Sequence, residues 1–164
     1  MYVIERAQVI PAPLEEAFRF FEDPRNLAEI TPAWLRFEIV GLDGLPLRAG
    51  CKIEYRIRWL GIPFRWLTVI TDYEPGRRFV DLQTRGPYRL WRHEHTFEDL
   101  NGQTMMRDRV EYELPFGLIG RIVHRLLVSH HLRQIFDFRS ARIGEIFGPK
   151  HPEGKGLRGR SSQG

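Results

Sequence analysis

The chain has 164 residues, and its hydrophobic fraction of 42% and charged fraction of 28% are ordinary for a globular protein. The net charge of +4 is concentrated at the C-terminus, because residues 149–164 carry four basic side chains against one acidic side chain. A folded body that is close to neutral excludes a basic face for nucleic acids, so no nucleic-acid partner is expected. We expect one domain over residues 1–148 and a disordered basic tail over residues 149–164.

The expected cell compartment follows from the cysteine count, the N-terminal residues and the lengths of the apolar segments. Cys51 is the single cysteine, which excludes an intramolecular disulfide and is typical of a reducing compartment. The first residues, MYVIERAQVIPAP, have charges inside their apolar run, so we do not expect a signal peptide. No window approaches 18 uninterrupted apolar residues. These features predict a cytoplasmic protein, a monomer or homodimer, that does not insert into membranes.

The N-terminal quarter alternates between strand and helix signals. Residues 2–10 mix β-branched and polar residues as a strand does, and the prolines of residues 11–13 end it. Residues 14–23 place apolar side chains at helical spacing, and residues 25–31 predict a second short helix between two prolines. Residues 35–42 predict a further strand.

The middle of the chain predicts five antiparallel strands. From Cys51 to Trp59, apolar and charged residues alternate with period two, which predicts a strand with one buried face. Further strands are predicted at residues 62–73, 79–85, 88–99 and 104–114. The strongest turn signal is Asn101-Gly102, a dipeptide favoured in two-residue hairpins.

The last predicted element is one long amphipathic helix, which ends at Gly148-Pro149. The inward-facing positions, at a spacing of about 3.6 residues, are expected at Leu118, Ile122, Leu126, Ser129, Phe136, Ser140, Ile143 and Phe147. The fold class is therefore α+β: a curved antiparallel sheet of about seven strands around one long C-terminal helix, with two short helices after the first strand. A curved sheet around one helix leaves space, so we expect a mainly apolar cavity between them.

Three segments carry a resemblance to a known family: IPAPLEEAFRFFEDPRNLAEITP, YEPGRRF and WRHEHTFEDLNGQTMMRDRVEYELPFG. With the order of the elements, they resemble the START/birch-pollen-allergen superfamily, also called the polyketide cyclase/dehydrase and lipid-transport superfamily, over residues 2–148. The third segment is similar to a bacterial subgroup of small single-domain proteins. The resemblance implies a helix-grip fold that binds a hydrophobic small molecule or lipid. It implies catalysis in only some branches, and no family catalytic motif carries over to this chain.

The hairpin around Asn101-Gly102 decides which side chains face the predicted cavity. A two-residue loop places His95 opposite Asp108, and a four-residue loop places His93 opposite Asp108. Both registers put the same residues on one face: Trp91, His93, His95, Phe97, Met106, Asp108, Val110 and Tyr112. The opposite face collects arginine and glutamate side chains and faces water.

The polar residues on that face leave three kinds of chemistry open. A metal site is not expected, because Glu98 has the wrong parity and no further cluster supplies a third ligand. His95 and Asp108 are the candidate catalytic pair for a cyclase or dehydratase that uses acid–base chemistry. Alternatively, a His–Asp pair hydrogen-bonds one end of a bound ligand or is only an internally satisfied pair.

We therefore predict binding of a hydrophobic or aromatic small molecule or lipid, without a cofactor. The expected wall residues are Tyr55, Trp66, Trp91, His93, His95, Met106, Asp108, Tyr112, Ile122, Leu126 and Phe136. One alternative function is an enzyme that uses His95 and Asp108. Another is a protein-interaction module that uses Leu67 and Val69 on the outer face of the sheet.

Overall fold

Seven antiparallel strands form one sheet in the computed structural model, which describes residues 1–149. The strands are β1 (Tyr2–Ile10), β2 (Glu38–Leu42), β3 (Lys52–Trp59), β4 (Ile62–Glu74), β5 (Arg78–Arg85), β6 (Leu90–Leu100) and β7 (Gln103–Glu113). Their order across the sheet is β1-β7-β6-β5-β4-β3-β2, a meander whose first strand joins the last. The predicted strand number and direction are confirmed. The disordered tail was predicted for residues that lie outside the described ones, apart from Pro149.

Short helices connect β1 to β2. The first, α1 (Leu14–Glu22), begins after Pro13 and carries acidic residues in its first turn. The second short helix is a 3₁₀ helix (Pro24–Ala28), whose first turn is capped by the side chain of Asp23. A further 3₁₀ turn, Ala33–Leu35, includes the residue at which the second strand was expected to begin. The observed strand β2 therefore begins three residues later than expected.

The C-terminal helix, which comprises three consecutive segments, follows β7. These segments are α2 (Gly117–Val123), a π-helical turn (His124–Val128) and α3 (Ser129–Phe147). The predicted α+β helix-grip architecture is confirmed. Within residues 1–149, no helix is long and apolar enough to cross a membrane.

The π-helical turn changes which residues of the C-terminal helix face the sheet. Val128, Leu132 and Phe136 are buried, but the side chains of Ile122 and Leu126 are 60% and 69% exposed. A π turn contains one more residue than an α turn, so the helix before it is rotated relative to uninterrupted 3.6-residue spacing. The prediction that Ile122 and Leu126 line the cavity is therefore wrong.

The hairpin between β6 and β7 has the two-residue loop, and not the four-residue one. Asn101 and Gly102 have φ angles of 53° and 86°, and Leu100 pairs with Gln103. Both central residues are left-handed, as a two-residue hairpin turn of the favoured type requires. His95 consequently pairs with Asp108, and Trp91 pairs with Tyr112.

Side-chain hydrogen bonds attach the C-terminal helix to the sheet. Gln8 Nε2 donates to the Ser140 carbonyl (2.8 Å), and Ser140 Oγ donates to Gln8 Oε1 (3.0 Å). Thr104, fully buried, donates from Oγ1 to the carbonyl of Ala12 and so holds the chain entering α1. The two bonds between Gln8 and Ser140, 132 positions apart in sequence, fix the C-terminal helix against the edge of the sheet.

The interior contains two apolar clusters. One lies beneath α1 and includes Phe18, Phe79 and Phe97. The other lies beneath the C-terminal helix and includes Trp66 and Trp91. On β6, His93 and His95 lie between Trp91, which belongs to the second cluster, and Phe97, which belongs to the first.

Replacing Gly102 or Gly144 by alanine should change the free energy of unfolding in opposite directions. We expect Gly102→Ala to destabilise the protein by about 1–2 kcal/mol, because a Cβ is strained at its left-handed φ. Gly144 is exposed inside α3 with open space where a Cβ would go, so Gly144→Ala should stabilise by about 0.5–1 kcal/mol. Urea denaturation of both variants measures the free energy of unfolding. A change of the same sign in both would contradict the hairpin geometry.

Candidate functional site

A cavity of about 450 Å³ lies between the sheet and the C-terminal helix. Its lining comes from three parts of the chain: the inner face of the sheet, the short helices after β1 and the C-terminal helix. Most lining side chains are apolar, and the polar ones include Asp81, His93, His95, His131 and Arg139. A cavity of this size and character is typical of sites for small apolar ligands.

Four ionisable side chains meet on one wall of this cavity, and we call them the His–Asp cluster: Asp81, His93, His95 and Asp108. Strand pairing brings them together, since Asp81 lies opposite His93 and Asp108 lies opposite His95. All four therefore have the same parity and face inward. Both histidines and Asp108 are buried, and Asp81 is mostly buried.

Asp108 contacts both imidazole rings. Its Oδ1 lies 2.9 Å from Nε2 of His93, within hydrogen-bond geometry. The same oxygen lies 2.7 Å from Nδ1 of His95, but this nitrogen has no hydrogen bond of normal direction. The second contact is therefore mainly electrostatic. One carboxylate oxygen thus holds two histidines.

Asp81 contacts the other nitrogen of each ring. Its Oδ2 lies 3.2 Å from Nε2 of His95 and 3.7 Å from Nδ1 of His93. The two rings lie against each other with centroids 3.8 Å apart, and the ring of His95 also stacks on Phe79. The histidines are thus enclosed between two carboxylates.

The surroundings shift the proton affinities of the cluster in different directions. Burial opposes a charge on His95, but the carboxylates of Asp108 and Asp81 outweigh it and raise its pKa. Burial lowers the pKa of His93, and the charge of His95 acts in the same direction against the pull of Asp108. Burial also works to raise the pKa of Asp108, but its contacts with both histidines hold that pKa far below its usual range. Within one cluster, the pKa values of the two histidines are thus shifted in opposite directions.

The structure brings together most of the wall residues that the sequence predicts. Six of them line the cavity: Tyr55, Trp66, Trp91, His93, His95 and Phe136. Three others are buried on the same inner face beneath the lining and are not part of it: Met106, Asp108 and Tyr112. Asp108 therefore contacts histidines of the cavity wall and does not itself border the cavity. Tyr112 forms a hydrogen bond with Nε2 of His124 (2.8 Å).

Sequence reasoning missed several polar residues of the wall. Asp81 was not assigned to a face, and Arg139 was not considered as a lining residue, although both line the cavity. His131 also lines it, and its Nδ1 accepts a hydrogen bond from Trp59 Nε1 (2.9 Å). The signal for Asp81 was available in principle, because pairing β5 with β6 gives it the parity of His93.

Besides Nδ1 of His95, two buried nitrogen donors on the wall have no acceptor within residues 1–149. They are Nε1 of Trp66 and Nε of Arg139, whose guanidinium lies 5.4 Å from the centre of the Phe136 ring. Buried donors nearly always find a partner in proteins, so each of these calls for an explanation. Both residues line the cavity, where an acceptor atom of a ligand can reach them.

The outer face of the sheet offers little apolar surface at the predicted interaction site. Leu67 and Val69 are half-buried among their neighbours on β3 and β5. Apolar side chains that are more exposed include Phe116, which precedes the C-terminal helix, and Leu118 and Leu126 on that helix. An interaction function through Leu67 and Val69 stays a prediction.

A comparison with protein families decides where the chain belongs. The model of the family described as "Polyketide cyclase / dehydrase and lipid transport" matches residues 10–135, which is more than half of the chain. The chain belongs to this family. No curated protein sequence matches it.

Solved structures agree with the family assignment at the level of the fold. Protein CV1439 from Chromobacterium violaceum has a TM-score of 0.68 at 16% identity, covering 90% of this chain and 97% of that one. Protein TTHA0849 from Thermus thermophilus has a TM-score of 0.62 at 16% identity, covering 88% and 99%. A START superfamily protein from Mycobacterium smegmatis has a TM-score of 0.61 at 13% identity, covering 89% and 99%. The predicted superfamily is confirmed, and these low identities show the fold alone.

Membership of the polyketide cyclase / dehydrase and lipid transport family does not test the candidate catalytic pair. In the geometry of the site, His95 lines the cavity and Asp108 lies behind it. Asp108 therefore orients a histidine and offers no atom to a ligand. Acid–base catalysis by this pair stays a prediction.

The buried carboxylate of Asp108 should stabilise this family member. We expect Asp108→Asn to lower the free energy of unfolding by about 1–3 kcal/mol, because it removes the charge that two buried histidines face. The matched control is Asp137→Asn, an exposed aspartate with a 3.5 Å ion pair to Arg6, which should change stability by less than about 0.5 kcal/mol. Urea denaturation at pH 7 measures both. Equal effects would show that the cluster does not depend on this charge.

Proposed function

We propose that the protein binds a hydrophobic small molecule or lipid in the cavity between the sheet and the C-terminal helix. The observation that carries this proposal is the cavity itself, about 450 Å³ in volume, with mainly apolar walls and one polar cluster. Ligand sites of proteins commonly combine an apolar enclosure with a few polar groups that orient the ligand. Membership of a family described by lipid transport and polyketide chemistry supports the same class of ligand.

The walls favour a ligand that contains flat rings or long apolar chains. Tyr55 stacks on Trp66 at a centroid distance of 5.5 Å, and Trp66 meets Trp91 edge to face at 5.3 Å. Such rings leave flat apolar faces for a ligand. Burial raises the pKa of Tyr55 and of Tyr88, so both hydroxyl groups stay neutral and can donate hydrogen bonds.

The polar groups of the wall favour hydrogen-bond acceptors on the ligand. Nε1 of Trp66 and Nε of Arg139 are buried donors without acceptors among the described residues. Carbonyl, ether or carboxylate oxygens on the ligand would satisfy them, and leaving such donors unsatisfied costs about 1–3 kcal/mol each. The proposed ligand is therefore an apolar molecule with at least one oxygen.

A substitution that fills the cavity tests the proposal. Leu132 is buried, lines the cavity and lies on α3, so Leu132→Trp should occupy ligand space. We expect it to weaken binding of the fluorescent probe 1-anilinonaphthalene-8-sulfonate at least about tenfold, a change of about 1.4 kcal/mol. Fluorescence titration of the full chain measures the affinity.

The matched control is Leu118→Trp, which adds the same ring at an exposed position of α2 and should leave the affinity unchanged. Thermal melts establish that both variants fold. If Leu132→Trp is too unstable, because overpacking costs about 1–3 kcal/mol, the smaller Leu132→Phe takes its place. Equal affinities for the wild type and the folded cavity variant would overturn the proposal. Native mass spectrometry of protein from its own host should then show no bound apolar molecule.

A further inference from the structure

The His–Asp cluster has two sides with different partners. On the side away from the cavity, Asp108 Oδ1 faces Nε2 of His93 and Nδ1 of His95. On the cavity side, the remaining nitrogens, Nδ1 of His93 and Nε2 of His95, face Asp81 Oδ2. Each ring thus presents one nitrogen to Asp108 and the other to Asp81.

Asp108 has the position of a carboxylate that fixes the tautomer of His93, and it also lies beside Nδ1 of His95. An ionised carboxylate accepts hydrogens, so it favours N–H on the nitrogen nearest to it and a lone pair on the opposite nitrogen. In metal sites, a histidine ligand generally donates its second N–H to such a carboxylate, which orients the ring and increases its basicity. Here Asp108 takes this position for His93, and its contact with Nδ1 of His95 is mainly electrostatic.

We propose that Asp81, His93 and His95 bind a divalent transition-metal ion at the cavity wall. The three ligand atoms all lie within 4.8 Å of one another. Two separations that involve the Asp81 oxygen are 3.2 and 3.7 Å, close to the roughly 3.3 Å between neighbouring ligand atoms around a tetrahedral ion with bonds of about 2.0–2.1 Å. Two imidazoles and one carboxylate select ions such as Zn²⁺, Co²⁺ or Fe²⁺ over Mg²⁺ and Ca²⁺, which prefer oxygen ligands.

The charges of the cluster match a divalent cation. Asp81 and Asp108 bring two negative charges to a mostly buried site, and the two neutral imidazoles bring none. A divalent ion balances these charges. A single proton on the two histidines would leave the cluster with a net charge of one negative unit. Arg139, which also lines the cavity, has no ion pair within residues 1–149 that would neutralise the cluster instead.

Three protein ligands leave one coordination position of a tetrahedral ion open. Asp81, His93 and His95 all line the cavity, so this position faces the apolar space. Sites that keep an open position of this kind can accept an oxygen atom of a bound molecule. The metal site stands on its own ligands and does not depend on the identity of the apolar ligand.

The sequence around the two histidines offers no third metal ligand on their face of the sheet. Glu98 is indeed exposed and pairs with Arg107 on the outer face (2.9 Å). The third ligand comes instead from Asp81 on β5, which pairs with His93 across the sheet. The expectation of no metal site did not take Asp81 into account.

Zinc titration of the full chain, stripped of metals with a chelator, tests the proposal. Calorimetry should show one Zn²⁺ bound per chain, and Co²⁺ should give the visible absorption bands of a four-coordinate ion. Asp81→Asn keeps the shape of the side chain and removes a ligand charge, and His95→Gln removes a ring nitrogen. We expect each to weaken Zn²⁺ binding by at least about 10–100-fold, and Asp108→Asn to weaken it by about 10–100-fold without removing a ligand.

The controls separate this site from other histidines of the chain. His130→Gln changes an exposed residue of α3, and His151→Gln changes a residue outside the described part, so neither should alter the affinity. Circular dichroism confirms folding, and Asp81→Asn keeps the test valid if His95→Gln does not fold. No saturable binding, an unchanged affinity in Asp81→Asn, or loss of the ion in either control would overturn the proposal. Probe binding in the cavity is measured separately, so failure of one proposal leaves the other intact.

Discussion

The two-residue turn at Asn101-Gly102 is the constraint on which the interior depends. Because it joins β6 to β7 with no extra residue, it fixes the partner of every inward side chain along both strands. A slip of one residue would put the two histidines and Asp108 on opposite faces of the sheet. Instead the outer face keeps ion pairs such as Arg92–Glu111, and the inner face keeps the polar cluster. The chemistry of the cavity is thus set by a turn outside it.

The polar cluster is tolerated in an apolar interior because its members satisfy one another. Isolated buried carboxylates are costly, yet Asp108 has two imidazoles as partners and Asp81 faces the same two rings. The aromatic side chains on both sides, Phe79 and Trp91, limit how far the rings can move. This arrangement favours a single geometry, which a site that orients a ligand or an ion requires.

Most of the fold could be predicted from the sequence, because period-two alternation and turn residues are local signals. The residues of β6 and β7 that face inward followed from the same parity argument. Asp81 could not be placed as easily, since Val80 and Leu82 are the apolar residues beside it and suggest the opposite face. Bulges in the pairing of β4 with β5 interrupt the parity, so the face of β5 depends on non-local pairing. Ile122 and Leu126 were misplaced because a π turn leaves no trace in hydrophobic spacing.

That π turn also determines which side chains of α2 point toward the sheet. With uninterrupted α-helical spacing, a different set of α2 residues would face the sheet. The additional residue in His124–Val128 instead places Gly120 inward, where its lack of a side chain permits contact with the backbone of Pro115. The rotational phase of this helix therefore sets which of its side chains border the cavity. Relatives with the same wall residues but a regular helix should present different helix side chains to the ligand.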